Sequence, residues 1–218
     1  MTFEGWPEAA LDFYEDLEDD NSRAFWMAHK SVYENAVLAP MADLADELSV
    51  EFGEVKIFRP NRDVRFSADK SPYKTQIGAT IGTGYVQLSA RGLAAANGMY
   101  VLAQDQLDRY RQSVAHDVTG AELERVVAAI TGDGITLTSH DSLKTAPRGY
   151  PPDHPRIGLL RHKGLAAWRE WPVEPWLSTA AAKDHVREFL TRSQPLATWL
   201  ADHVGPSRDP DARGPRRR

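Results

Sequence analysis

The sequence predicts an α+β fold in which helices from both ends of the chain pack against a central antiparallel or mixed sheet. Apolar residues recur with the helical period in residues 7–52 and again in 178–204, whereas residues 54–102 alternate with the period of a strand. Short turns join the predicted strands, and a parallel pair would need a crossover of about a dozen residues. Helices grouped at the chain ends with strands grouped in the middle are typical of the α+β class.

Three amphipathic helices are predicted before the first strand. The first covers residues 7–20, and Asn21 and Ser22 end it and cap the second helix. The third helix begins at Pro40, which suits a first helical turn, and ends at Gly53. We expect each helix to bury one apolar stripe, which in the first helix consists of Ala10, Phe13, Tyr14 and Leu17.

Consecutive strands are predicted in the middle of the chain. After a short strand at Val55 and Ile57, residues 73–81 and 85–90 flank a Gly-Thr-Gly turn and indicate a β-hairpin. A further strand is expected within 92–102. The remaining predicted elements are helices over 105–116 and 120–131, strands over 135–139 and 165–171, and helices over 178–191 and 195–204.

The composition is that of a globular protein. Of the 218 residues, 42% are hydrophobic and 26% are charged, which excludes collagen-like and wholly disordered classes. We expect one domain over residues 1–204 and a disordered tail rich in Pro and Arg over 205–218. The chain contains no cysteine, so disulfides, thiol catalysis and zinc–thiolate sites are excluded. Its first residues lack the pattern of a signal peptide, and a cytoplasmic protein without a membrane anchor is expected.

Charge is distributed unevenly along the chain. The net charge is −5, and the first quarter holds fourteen acids against two bases, which leaves +7 for the remainder. The densest basic segment is 59–75, R-P-N-R-D-V-R-F-S-A-D-K-S-P-Y-K-T, which we call the cationic loop. It holds five bases and two acids, and Pro60 and Pro72 exclude one continuous helix. An extended piece is predicted around Val64 and Phe66.

The cationic loop resembles the hallmark of DUF2461, a family of unknown function, whose pattern is similar to R-D-x-R-F-S-x-D-K-S-P-Y-K-T. The chain matches every specified position of this pattern over residues 62–75. A P-R-G-Y-P-P-D-H-P segment at 147–155 and the pattern of the first helices extend the similarity over residues 3–204. Asp20, where the family often has asparagine, and the small-residue run 93–97 depart from the family pattern. The resemblance implies the fold of the family and no activity.

The bases of the cationic loop can converge on a phosphate or carboxylate, because guanidinium groups bind such oxygens in pairs and ammonium groups add a point charge. A second basic region, the proline-rich segment 144–164, can complete a cleft around the same anion, which we expect to be a phosphorylated small molecule. Asp63 and Asp69 then orient the arginines as structural ion pairs. The predicted ligand-binding residues are Arg59, Arg62, Arg65, Lys70, Tyr73, Lys74, Arg148, Tyr150, His154 and Lys163.

Two other interpretations fit the same residues. The acids and bases of the cationic loop can form an ion-pair network whose role is purely structural. Alternatively, the protein can be a noncatalytic module that binds nucleic acid or another protein. A sequence pI of about 5.8 weighs against a dedicated nucleic-acid binder.

The sequence leaves catalysis open. If the protein transfers a proton, Tyr73 and His154 are the candidate groups, since hydroxyl and imidazole groups commonly serve as acids and bases. The simpler interpretation of His154 is a turn residue that hydrogen-bonds to the backbone. The histidines and acids show none of the close-spaced patterns of a metal site, so no metal is predicted, and no cofactor or oligomeric state is indicated.

Overall fold

The computed structural model describes residues 2–65 and 69–209 and shows an α+β fold, as predicted. In these ranges the strands are β1 (Val55–Ile57), β2 (Gln76–Ile81), β3 (Gly84–Ser89), β4 (Gly92–Met99), β5 (Thr136–Thr138) and β6 (Leu165–Trp171). These six strands form one antiparallel sheet with the order β1-β2-β3-β4-β6-β5. The predicted hairpin is confirmed, and β6 has the predicted bounds.

Helices occupy both ends of the chain and the segments between β4 and β5 and between β5 and β6. They are α1 (Glu8–Asp19), α2 (Arg23–Val32), α3 (Ala39–Phe52), α4 (Gln104–Ala115), α5 (Asp117–Ile130), α6 (Ile157–Leu160) and α7 (Ala181–His203). A π-helical turn, Tyr33–Leu38, joins α2 to α3, and a 3-10 turn, Pro175–Ser178, precedes α7. In the part of the chain that the structure describes, no helix combines the length and the apolar character needed to cross a membrane.

The described residues divide into two compact units. The first unit contains residues 2–95 and 170–190, and the second contains 96–169 and 191–209. The expected single domain over 1–204 stays a prediction.

The hairpin gives the first unit a sheet with one apolar and one polar face. Pairing Ile77 with Leu88 and Ala79 with Val86 puts four buried side chains on one face. The intervening residues lie on the opposite face, because side chains alternate along a strand. That polar face carries Gln76, Tyr85 and Gln87, which are partly exposed, and Ser89. On α3, which contacts β1 and β2, the buried residues are Met41, Leu44, Ala45 and Leu48.

The helices of the first unit follow the predicted periodicity. The apolar stripe of α1 is buried as expected. Ser22 caps α2 by accepting a hydrogen bond from Phe25 N at 3.1 Å. Pro40 lies in the first turn of α3, as predicted, but the π-helical turn makes α2 and α3 one continuous helical run. Gly53 ends α3 with φ 102°, a backbone angle that favours glycine.

The prediction of two C-terminal helices is wrong, because α7 is one helix with Pro195 inside it. A proline within a helix removes one backbone hydrogen bond and typically costs about 3 kcal/mol. Burial along one helical face compensates, since Leu196 and Leu200 on the far side of the proline are fully buried. Ser193 continues this face and accepts a hydrogen bond from Asn97 Nδ2 at 3.1 Å.

The start of α5 was also predicted three residues too late. Gly120 lies inside the helix, and the reason for a helical glycine there is a close packing contact. A Cβ atom at this position would lie 2.2 Å from Val114 O in α4 and 2.9 Å from Arg156 Nε. The same Nε donates to Glu124 at 2.9 Å. The glycine therefore allows the α4 backbone to approach closely and leaves room for this ion pair.

The predicted tail begins with residues that contact α4. Asp105 accepts hydrogen bonds from Ser207 Oγ at 2.7 Å and from Arg208 N at 2.8 Å. Arg109 Nη2 donates to Pro206 O at 2.8 Å. The other residues of the expected disordered tail, 210–218, lie outside the described residues, and their disorder stays a prediction.

Candidate anion-binding site

The cationic loop is closed at its base like a short hairpin. Asn61 and Tyr73 form an isolated antiparallel bridge. Two backbone hydrogen bonds flank this bridge: Arg62 N to Pro72 O at 2.9 Å and Lys74 N to Pro60 O at 2.8 Å. Of the predicted extended piece, Val64 is not part of a strand, and Phe66 lies outside the described residues together with Ser67 and Ala68. The loop thus starts and ends at a fixed backbone register.

Asn21 and Trp26 anchor the base of the loop at Tyr73. The Asn21 side chain accepts from Tyr73 N at 3.0 Å and donates to Tyr73 O at 3.2 Å, as a neighbouring strand would. Trp26 stacks on the Tyr73 ring with 4.2 Å between centroids and 9° between planes. Only 7% of Tyr73 is exposed. These contacts give Tyr73 an anchoring role, and its predicted part in proton transfer stays untested.

Both carboxylates of the loop bind arginines of the same loop. Arg65 donates to Asp63 through Nε at 2.9 Å and Nη2 at 2.6 Å. Arg62 donates to Asp69, which also accepts from Ser71 N at 2.9 Å. The hydrogen bonds from Arg65 lower the pKa of Asp63 to about 2. Those from Ser71, followed by Arg62, lower the pKa of Asp69 to about 2. The two acids are therefore ionised partners of arginine at neutral pH.

The lysines of the loop are held by backbone carbonyls. Lys70 Nζ donates to Val64 O at 3.0 Å, and Lys74 Nζ donates to Arg59 O at 2.8 Å. Lys74 Nζ also lies 5.6 Å from the centroid of the Phe58 ring, a cation–π distance. The Arg59 side chain is exposed, and within residues 2–65 and 69–209 it has no hydrogen-bond or ion-pair partner. The described part of the loop therefore presents positive charge to solvent.

His154, in the proline-rich segment, makes hydrogen bonds within a turn, and its predicted part in ligand binding or proton transfer stays untested. Its Nδ1 accepts a hydrogen bond from Arg156 N at 3.0 Å. Because a backbone nitrogen can only donate, the neutral ring carries its proton on Nε2. Tyr150 N donates to Pro147 O at 3.1 Å, and burial raises the pKa of the half-buried Tyr150 hydroxyl. Both residues belong to the second unit.

The two predicted cations of this segment differ in their surroundings. Lys163 forms an ion pair with Asp141 and lowers the pKa of that carboxyl. Arg148 is exposed, and no side-chain partner for it exists in the described ranges. The cationic loop belongs to the first unit and these residues belong to the second. A cleft formed jointly by the two regions therefore stays a prediction.

Sequence reasoning missed the anchoring residues of the loop. It assigned Asn21 to a helix cap and did not single out Trp26, yet both contact Tyr73. Their only signal was the similarity of the first helices to the family pattern. The described residues contain no group of three or more His, Asp or Glu side chains that could hold a metal ion.

Comparison with known proteins gives the chain a family. No curated protein matches it closely enough to suggest an activity. Residues 9–199 match the family described as conserved hypothetical protein DUF2461. This range includes the anchoring residues Asn21 and Trp26, the whole cationic loop and the proline-rich segment. The chain therefore belongs to the DUF2461 family of conserved hypothetical proteins.

Proposed function

We propose that the cationic loop binds a small anionic ligand through a phosphate or carboxylate group. The observation that carries the proposal is the balance of charges in the loop. Five bases face two acids, and each acid already accepts hydrogen bonds from an arginine. The loop therefore carries a net charge of +3. Such charges attract anionic ligands from solution even before contact.

Arg59 and Lys70 are the residues best suited to contact the ligand. The charge of Arg59 helps to lower the pKa of Asp63, but its guanidinium donates no hydrogen bond to a described residue. Its planar fork matches two oxygens of a phosphate or carboxylate. The exposed Lys70 ammonium uses one of its three N–H donors on Val64 O. The Arg62–Asp69 and Arg65–Asp63 pairs hold the loop backbone in place. They supply the preorganisation that reduces the entropic cost of binding.

The structural interpretation of the loop has support of its own. The bidentate contact of Arg65 with Asp63 and the carbonyl contacts of both lysines are what a self-contained network would show. This interpretation differs from ligand binding in its consequences. A purely structural network predicts that every charge-removing variant lowers stability, and that no anion raises it.

A thermal-shift titration separates the two interpretations. Inorganic phosphate, sugar phosphates, nucleotides and a short oligonucleotide are added to the parent protein and to the Arg59→Gln/Lys70→Gln variant. A matched control, Arg23→Gln/Lys144→Gln, removes two exposed charges that have no side-chain partner in the described ranges. At a hundredfold excess over Kd a ligand adds about 2.7 kcal/mol of stability, which raises Tm by several degrees.

We expect a phosphorylated small molecule to raise Tm of the parent and the control but not that of the Arg59→Gln/Lys70→Gln variant. Without ligand all three proteins should melt within about a degree of one another, because the removed side chains hold little structure. If no anion shifts the parent, or if the variant responds like the control, the proposal is wrong. A response to the oligonucleotide alone would favour the nucleic-acid module instead.

A further inference from the structure

We propose that a groove in the first unit, separate from the cationic loop, binds a small zwitterion such as a free amino acid or a short peptide. The groove lies between the turn that joins β3 to β4 and the end of β6, and we call it the polar groove. Its volume is about 220 Å³. Pockets for drug-sized ligands measure roughly 300–1,000 Å³, so a smaller molecule fits this space. The polar and small residues that line it are Gln87, Ser89, Arg91, Gly92, Ala94 and Glu170, and Leu93, Trp171 and Pro172 complete the lining.

Gly92 brings the two walls of the groove close together. Its φ is 112°, and a Cβ atom at this position would lie 2.3 Å from Trp171 O. No other residue type could occupy this position without moving the end of β6 away from the hairpin turn. The close approach places the turn residue Arg91 and the strand residue Glu170 on the same groove.

Arg91 and Glu170 supply opposite charges that are not used inside the protein. Both side chains line the groove and are exposed, and in the described part of the chain neither has a hydrogen-bond or ion-pair partner. They do not pair with each other. An anion alone would be repelled by Glu170, and a cation alone would be repelled by Arg91. A ligand that carries one charge of each sign satisfies both.

Gln87 and Ser89 also line the groove and add hydrogen-bond donors to it. Gln87 Oε1 accepts from Tyr85 Oη at 3.0 Å and from Gln76 Nε2 at 2.8 Å. These two bonds fix the amide, and no described acceptor takes the N–H groups of its Nε2. Ser89 Oγ accepts from Arg91 N at 3.3 Å, which leaves its O–H to donate. With Arg91, the groove therefore presents three kinds of donor and one carboxylate.

The combination of several donors with a single carboxylate predicts the chemistry of the ligand. The carboxylate of a zwitterion bonds to Arg91, Gln87 and Ser89, and its ammonium group bonds to Glu170. Both contacts are charge-assisted hydrogen bonds, which are stronger than neutral ones. Gly92 has no side chain and that of Ala94 is small, which leaves room in the groove for the carbon skeleton.

The test uses dialanine as the probe, measured by isothermal titration calorimetry. Four forms are compared: the free dipeptide, its N-acetyl derivative, its C-terminal amide and the doubly blocked form. We expect each singly blocked form to bind about tenfold more weakly than the free dipeptide, since each loses one charge-assisted contact. Equal binding of the free and acetylated forms would reduce the groove to an anion site and overturn the proposal. Lack of saturable binding by any form would overturn it as well.

Variants assign each charge to its partner. Glu170→Gln should abolish the preference for a free N-terminus, and Arg91→Gln should abolish the preference for a free C-terminus. The Arg59→Gln/Lys70→Gln variant of the cationic loop should bind dialanine like the parent. If instead that variant loses dialanine binding while Arg91→Gln and Glu170→Gln retain it, the dipeptide binds at the loop and the proposal for the groove is wrong.

Discussion

The cationic loop and the polar groove differ in whether their acidic and basic side chains have partners within the protein. In the loop, both acids bind arginines and both lysines donate to carbonyl oxygens, so its acids are already paired. In the groove, Arg91 and Glu170 line the same space without a partner among the described residues. A dense charged motif is therefore evidence of local structure first. Opposite charges that share a groove and remain unpaired point more directly to a ligand.

The largest expected effect tests how strongly the base of the loop is held. Trp26→Ala removes a buried ring that stacks on Tyr73 and contacts Phe13 and Tyr33. Truncating a buried tryptophan typically costs about 3–5 kcal/mol, because a cavity replaces its contacts. We expect the free energy of unfolding, measured by urea titration, to fall by that amount.

Trp26→Phe is the matched control, because it keeps an aromatic ring against Tyr73 and should restore most of the lost stability. Dialanine binding should persist in the folded fraction of Trp26→Ala, since the polar groove does not include the base of the loop. A loss of less than about 1 kcal/mol in Trp26→Ala would show that the loop does not depend on this anchor.

Acid should weaken the loop in a defined pH range. The pKa values of Asp63 and Asp69 are lowered to about 2 in the folded protein, whereas an unfolded aspartate has a pKa of about 3.9. A lowered folded pKa means that the stabilisation is complete above the unfolded pKa and is lost as the pH falls through the folded pKa. The urea concentration at the midpoint of unfolding should therefore decline between about pH 5 and 2, as these two carboxylates are protonated.

The Asp63→Asn variant tests whether Asp63 causes this loss of stability in acid. At pH 7 this variant should be less stable than the parent, and the difference should shrink towards pH 2, where the parent also lacks the charge. Added salt should reduce the difference at pH 7, because exposed ion pairs are screened. The control Asp12→Asn removes an exposed carboxylate with no described partner and should leave the midpoints unchanged. A parent–variant difference that is independent of pH would exclude the ion pair as its cause.

Much of the fold could be predicted because local patterns and packing agree. β6 was predicted over its full length, since Gly164 and Pro172 bound a strand-like run. The break predicted at Pro195 is absent because burial along one face of α7 outweighs the lost hydrogen bond. Local rules cannot weigh such a cost against contacts that form only in the folded chain.

The two regions also differ in how far the sequence reveals them. The cationic loop is contiguous, so its charges and the prolines at its base are visible in seventeen residues. Arg91 and Glu170 lie far apart in the sequence and are brought together by the sheet and by the close approach at Gly92. Neither stands in a recognisable motif. A site made of such residues becomes visible only when strand order and backbone approach are known.

The smallest expected effect on stability concerns the groove. Arg91→Gln and Glu170→Gln each remove a charge that stabilises nothing within the described chain, so the free energy of unfolding should change by less than about 0.5 kcal/mol. Urea titration of both variants beside Asp63→Asn makes the comparison direct. If either groove variant lost as much stability as Asp63→Asn, its charge would serve the fold. The contrast between a loop whose acids are paired and a groove whose charges are unpaired would then fail. Unchanged stability together with altered dialanine selectivity would mean that these two charges serve binding alone.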